Sequence, residues 1–209
     1  MAESILYTTL EHEGEAEFTE KRSVFIGHAL PVKTEEEALA YIKKQKSAYA
    51  DARHNVWAYL QKGEIVARYS DDGEPQGTAG VPVLDTIRKS GVTDAVVVVT
   101  RYFGGILLGA GGLVRAYSHT AKLALEAAHI ITYEQYTELE LDCSYSDYQR
   151  YLAELPRFGA VVDDTAFSER VKVLFAVKNT VVEDLLLRVR EISNGSAAPA
   201  VRGKRFDYR

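Results

Sequence analysis

A run of β-branched residues, Ala95-Val-Val-Val-Val99, leads directly into Thr100-Arg-Tyr-Phe-Gly-Gly-Ile-Leu-Leu-Gly-Ala-Gly-Gly-Leu-Val-Arg115. A strand that is apolar on both sides must be covered on both faces, so this segment belongs at the centre of a sheet. Behind the glycines, Leu113, Tyr117, Ala121, Ala124, Leu125 and Ala128 recur at steps of three and four. That spacing predicts an amphipathic helix from Gly112 to about Ala128. Arg115, Ser118, His119, Lys122 and Glu126 occupy its other face.

Three further helices are expected from capping boxes at Thr34-x-x-Glu37, Ser146-x-x-Gln149 and Thr180-x-x-Glu183. In each, a hydroxyl and an N3 side chain satisfy free backbone N–H groups. Gly159 and Asn194-Gly195 stand where the last two of these would end. Val24 to Leu30 alternates as a strand. Val56–Leu60 and Glu64–Tyr69 flank Gln61-Lys62-Gly63 as a hairpin would. After the polar segment Thr132-Tyr-Glu-Gln-Tyr136 the pattern changes. Strands at 137–145, 160–169, 171–177 and 200–208 and helices at 147–158 and 181–192 give β-α-β-β-α-β, the ferredoxin-like order. The expectation is an α+β protein with a joint near 135, dividing into domains 1–135 and 136–209.

Composition narrows the function classes. With 46% hydrophobic and 26% charged residues the chain is globular in kind, not disordered. Its longest strongly apolar stretch, Ala95 to Thr100, is far short of the ~20 residues of a membrane span. The acidic first twenty residues lack the basic and apolar regions of a signal peptide. Cytoplasm is therefore expected. The single cysteine, Cys143, allows no internal disulfide and cannot build a thiolate zinc site alone. Its alternation with Leu139, Leu141 and Tyr145 predicts a buried thiol. Neither metal nor cofactor is expected. A net charge of −5 argues against a general nucleic-acid coat, yet permits a local basic patch. Six glutamates between Glu3 and Glu20 read as a solvated edge, where charge resists pairing with another chain. The closing Arg202, Lys204, Arg205 and Arg209 read as a final surface strand sooner than a phosphate contact.

Three clusters are rich in special residues. In Asp51-Ala-Arg-His-Asn-Val-Trp57, His54 and Asn55 either cap backbone groups before a strand or line its mouth. In Ser70-Asp-Asp-Gly-Glu-Pro-Gln-Gly-Thr-Ala-Gly80, the residues Ser70, Asp71, Asp72 and Glu74 suit a self-bonded loop, a polar ligand contact or, least well, a hard cation. The third cluster runs from the buried strand through five glycines into a helix N-terminus. Free N–H groups and the helix dipole there favour an anion. Arg101, Tyr102, Gly104, Gly105, Gly109, Gly111, Gly112 and Arg115 are its candidate binding residues, with His119 one turn further on. Close helix–sheet packing explains the glycines equally well. Ala110 stands where a Walker loop needs lysine, and no G-x-G-x-x-G occurs. No catalytic residue can be named.

His54-Asn-Val-Trp57, Ser70 to Gly80 and Arg101 to Tyr117 closely resemble the motifs of the YigZ/IMPACT family, in order, and the likeness covers roughly residues 18–130. Val56 stands where that family commonly has cysteine, which removes a thiol role at that position. The resemblance implies a first domain of the fold shared by a small-subunit ribosomal protein, elongation factor G domain IV and the GHMP kinases. It implies a second domain similar to elongation factor G domain V. RNA or the ribosome is the expected partner, with modulation of translation or stress response. A small-molecule or phosphate-ester enzyme using the glycine loop as an anion site and a protein-binding regulator remain as alternatives. Oligomeric state is not legible.

Overall fold

The computed structural model describes residues 7–61 and 66–208. Among these, five α-helices and two sheets give an α+β architecture. The chain forms two compact units, one spanning Thr8–Thr132 and the other holding Tyr133–Arg209 together with Tyr7.

In the first unit, β2 (Gly14–Glu20), β3 (Ser23–Pro31), β6 (Ala95–Tyr102), β4 (His54–Gln61) and β5 (Val66–Ser70) lie side by side in that order, all antiparallel. β6 is central, as its composition requires. Ala95, Val97 and Val99 pack into the core shared with α2 (Gly80–Lys89) and α3 (Ala110–Ala127), whereas Val96 and Val98 pack with Ala38, Tyr41 and Ile42 of α1 (Glu35–Ala48). The unit therefore has three layers, helix on sheet on two helices. Every residue of the expected α3 stripe is buried. The acidic lead supplies β2, with Glu15 and Glu17 exposed along this edge strand of the sheet. The expected hairpin pairs Trp57 with Ser70 through Gln61 with Val66, and its Lys62 and Gly63 lie outside the described residues.

α1 starts as expected, with Thr34 Oγ1 accepting from Glu37 N at 3.2 Å. α2 is absent from the sequence reading. Its signal was present, since Pro82, Val83, Leu84 and Ile87 form its buried stripe. The preceding loop's turn residues masked it.

The second unit contains most of β7 (Ile130–Cys143), then α4 (Tyr145–Glu154), β8 (Val161–Phe167), β9 (Val171–Lys178), α5 (Val182–Ile192) and β10 (Ala200–Asp207). Its strands lie in the order β10, β7, β9, β8, all antiparallel. Leu139, Leu141, Cys143, Val173 and Phe175 on one sheet face pack with Tyr151, Leu155, Leu185 and Val189 from the helical side. Cys143 is buried, as its alternation requires, and burial pushes its thiol pKa up.

Two local expectations need correction. The helix α4 is capped two residues earlier than its predicted box. Ser144, not Ser146, is the N-cap, accepting from Asp147 N at 3.1 Å. The Thr180 box does not form, because Asn179–Val181 is a 3-10 turn and α5 follows without a side-chain cap. The polar Thr132–Tyr136 segment, where the joint is expected, lies within β7, with Tyr136 buried and paired to Lys178 and Arg205. Limited proteolysis is accordingly expected to spare 130–143 and to enter first at exposed irregular segments such as Phe103–Gly109. Early cleavage between 131 and 137, read by mass spectrometry, would contradict the strand.

The terminal arginines of β10 are engaged within the sheet. Arg202 pairs with Glu140 at 2.5 Å, and Arg205 Nη1 pairs with Asp163 at 2.7 Å.

Candidate functional site

The Ser70–Gly80 loop is held by its own carboxylates. Asp71 Oδ1 accepts from Ala79 N (3.1 Å) and Gly80 N (2.8 Å), while Oδ2 accepts from Gly77 N (2.8 Å). It thereby caps α2 from a distance, a duty that Ala79 cannot perform. Asp72 accepts from Asn55 N at 2.7 Å and pairs with Lys46 at 2.5 Å, and its N–H donates to Ser70 Oγ at 3.1 Å. His54 Nδ1 donates to the Asp72 carbonyl at 2.9 Å. The Asn55 side chain accepts from Thr100 Oγ1 at 2.7 Å and donates to Tyr49 O at 3.3 Å. The first two clusters are thus one network, with β4 supplying His54 and Asn55. Its carboxylate oxygens are committed to backbone amides and Lys46, so Asp71, Asp72 and Glu74 do not converge on a shared cation.

Glu74 turns the opposite way, into the core. Arg101 Nη1 meets its Oε1 at 2.6 Å, and Tyr117 Oη donates to the same oxygen at 2.8 Å. The Arg101 and Glu74 side chains are only 7% and 4% exposed, which makes this a buried ion pair. Phe25 and Phe103 cover the guanidinium at 5.4 and 5.5 Å from their ring centroids. Burial, then the charge and hydrogen bond of Glu74, raise the Tyr117 pKa well above the usual phenol range. This trio ties α3 and β6 to the Ser70–Gly80 loop. Arg101 therefore does not stand open beside Arg115, as the sequence reading expected. Tyr102 is also engaged, donating to Asp51 at 2.8 Å.

The rest of the glycine cluster is outward-facing. Gly109, at φ 71°, precedes α3, whose N-terminus has no side-chain cap. Gly111 and Gly112 form the first turn, and Arg115 and His119 follow on the exposed face. Beside them lies a feature that the sequence reading missed. Lys21 and Arg22 are the two-residue turn between β2 and β3, closed by the Glu20–Ser23 pair. Both have left-handed backbones, φ 45° and 66°, the geometry of a type I′ turn that normally selects Asn-Gly. Two long cations there cost about 1–3 kcal/mol each in backbone strain. The signal was available as two non-glycine residues separating two runs of alternating polarity.

Gly104 locks this turn to the loop. Its N–H donates to Ser23 Oγ at 3.1 Å, and a Cβ on it would fall 2.0 Å from the Arg22 carbonyl carbon. Gly105, at φ 84°, instead faces open space. A groove of about 390 Å³ runs between turn and helix, lined by Phe18, Glu20, Lys21, Gly112, Arg115 and His119 among others. His119 stands edge-on to Phe18, centroids 4.6 Å apart. Phe103, Ile106 and Leu107 on the adjoining loop are exposed, Leu107 by 83%.

Comparison with known proteins places this geometry. The Impact N-terminal domain matches residues 21–125, which run from the Lys21 turn to Leu125 in the α3 core stripe, and a domain of unknown function (DUF1949) matches 141–196. "IMPACT family member YvyE" of Bacillus subtilis is 34% identical over 192 residues, covering 91% of this chain and 88% of that protein. The chain belongs to the IMPACT family. "IMPACT family member YigZ" of Escherichia coli is 32% identical, over 84% of this IMPACT-family chain and 88% of the relative. A crystal structure of a hypothetical protein, 29% identical, superposes with a TM-score of 0.58 over 94% of this chain and 97% of that one. The motifs carried by His54–Trp57, Ser70–Gly80 and Arg101–Tyr117 thus fall within the family's N-terminal domain. In this member they build the capping network and the buried trio.

Proposed function

We propose that this IMPACT-family protein is a cytoplasmic regulator that binds RNA, free or on the ribosome, and through it modulates translation or stress response. The observation that carries this reading is the uncapped glycine-rich start of α3, set beside Lys21, Arg22 and Arg115. Free N–H groups, a positive dipole end and three exposed cations are the elements of a phosphate site. The strand order β10-β7-β9-β8 supports the finer fold reading, a ferredoxin-like C-terminal domain similar to elongation factor G domain V. The central antiparallel sheet with helices on both faces is compatible with an N-terminal domain of the ribosomal-protein, elongation factor G domain IV and GHMP kinase fold. Among the described residues no helix is long and apolar enough to cross a membrane.

A protein-binding regulator is the second reading, favoured by the exposed Phe103, Ile106 and Leu107 on the same loop. The phosphate-ester enzyme draws less support, because His54, Asn55, Asp71 and Asp72 are spent on holding the loop.

The test is anisotropy of a labelled single-stranded RNA from 50 to 200 mM salt. Three phosphate contacts on a single strand give a log–log salt slope of about −2. Lys21→Asn/Arg22→Gly supplies the residues a type I′ turn prefers, and Arg115→Ala installs a strong helix former. The triple variant should therefore fold at least as well as wild type. Its RNA affinity should fall by about tenfold or more, with the slope nearly abolished. Unchanged affinity would exclude this surface, and protein capture surviving in the triple variant would favour the second reading.

A further inference from the structure

At the other end of α3 stands a different cluster. Glu11 and His12 occupy the connection between β1 (Tyr7–Leu10) and β2, and His129 follows the α3 C-cap, Ala128. One ligand atom from each residue lies within 4.8 Å of the other two, and all three side chains are exposed. We propose that Glu11, His12 and His129 form a binding site for a divalent transition ion of the zinc class.

The backbone beneath them is closely fitted. Glu11 N donates to His129 O at 2.8 Å, and His12 N donates to Ala128 O at 3.2 Å. Gly14 permits this approach, since a Cβ there would lie 2.2 Å from Ala128 N. The donors are therefore presented by two segments held in fixed register. Side-chain geometry points the same way. The imidazoles of His12 and His129 stand 4.9 Å apart, centroid to centroid. His12 Nδ1 lies 2.9 Å from the Glu13 carbonyl, which can only accept, so Nδ1 carries the proton and the neutral ring keeps its lone pair on Nε2. An imidazole held by a backbone carbonyl in this way is a metal ligand with its tautomer already set. Glu11 Oε2 lies 3.3 Å from His129 Nδ1, within reach either to ligate the ion or to orient that ring.

Two imidazoles and a carboxylate select a borderline ion such as Zn²⁺ over Mg²⁺ or Ca²⁺, which require oxygen donors. The carbonyl end of α3 adds partial negative charge, favourable to a cation. Three protein ligands leave a fourth position for water. The sequence-based expectation of no metal rested on cysteine count and on local carboxylate spacing. These ligands come from residues 117 positions apart, His12 and His129.

The experiment is calorimetric titration of the chelator-stripped full chain with ZnCl₂. One equivalent should bind with low-micromolar Kd or tighter, and the melting temperature should rise because the ion binds the folded state. His129 has a left-handed backbone, φ 54°, so His129→Gly removes a ligand while relieving strain. It should weaken zinc at least tenfold without lowering the metal-free melting temperature, and His12→Gln should weaken it similarly. A wild-type chain that takes up no zinc, or a His12→Gln/His129→Gly chain that binds it unchanged, would overturn the proposal.

Discussion

Arg101→Ala is expected to destabilise the first unit by about 3–5 kcal/mol, because it strands the Glu74 carboxylate in the core. Urea unfolding followed by tryptophan fluorescence measures it, since Trp57 lies on β4 of the same sheet. Glu74→Gln should also be costly, because it leaves the buried Arg101 guanidinium without its counter-charge, although the amide oxygen can still accept from Arg101 and Tyr117. Replacing the trio with Glu74→Leu, Arg101→Met and Tyr117→Phe should recover most of the loss, as buried ion pairs usually yield to apolar groups of similar volume. RNA affinity of folded Arg101→Ala protein should stay near wild type, since the guanidinium faces Glu74 and not the groove. An Arg101→Ala loss under about 1 kcal/mol would mean that the pair is hydrated and contributes no more than a surface bridge.

This expectation inverts what the sequence suggests about Arg101, and the inversion has a physical cause. A one-dimensional reading sees an arginine beside glycines at a helix start and infers an anion. The partner that neutralises it, Glu74, lies 27 positions earlier in a segment whose Gly, Pro and Asp residues read only as a turn. Features set by local periodicity were legible. The valine run of β6, the α3 stripe and the buried Cys143 each follow from side chains within one element. The β-α-β-β-α-β order of the second unit was legible for the same reason. Caps were less so, because Ser144 and Ser146 both begin plausible motifs and only the chain's exit from β7 chooses between them. The candidate surface was half visible. Arg115, His119 and the glycines announce themselves. Lys21 and Arg22 join them only through the β2–β3 register and Gly104. The Glu11, His12 and His129 cluster was invisible, being the product of β1 and α3 ending at one place.

Gly104 gives the strongest test of how that surface is assembled. An alanine there would put its Cβ 2.0 Å from the Arg22 carbonyl carbon, 2.1 Å from its oxygen and 2.5 Å from Ser23 N. All three are backbone atoms, so no rotamer change can relieve the overlap. Either the β2–β3 turn or the 103–109 loop must move. Overpacking of this kind costs about 1–3 kcal/mol, and more where the neighbour is main chain. Gly104→Ala should therefore lower stability by about 3 kcal/mol. It should also weaken RNA binding severalfold, although Lys21, Arg22 and Arg115 all remain, because their spacing around the α3 N-terminus is lost. Gly105→Ala is the matched control. Its Cβ meets open space, and only the left-handed φ of 84° opposes it. That change should cost about 1 kcal/mol and leave the RNA affinity alone. If Gly104→Ala and Gly105→Ala prove equally mild in unfolding and in anisotropy, the turn and loop are not held by this contact. The cations would then have to find phosphate independently, and removing Lys21 and Arg22 should leave only the slope of the one remaining contact, about −0.7.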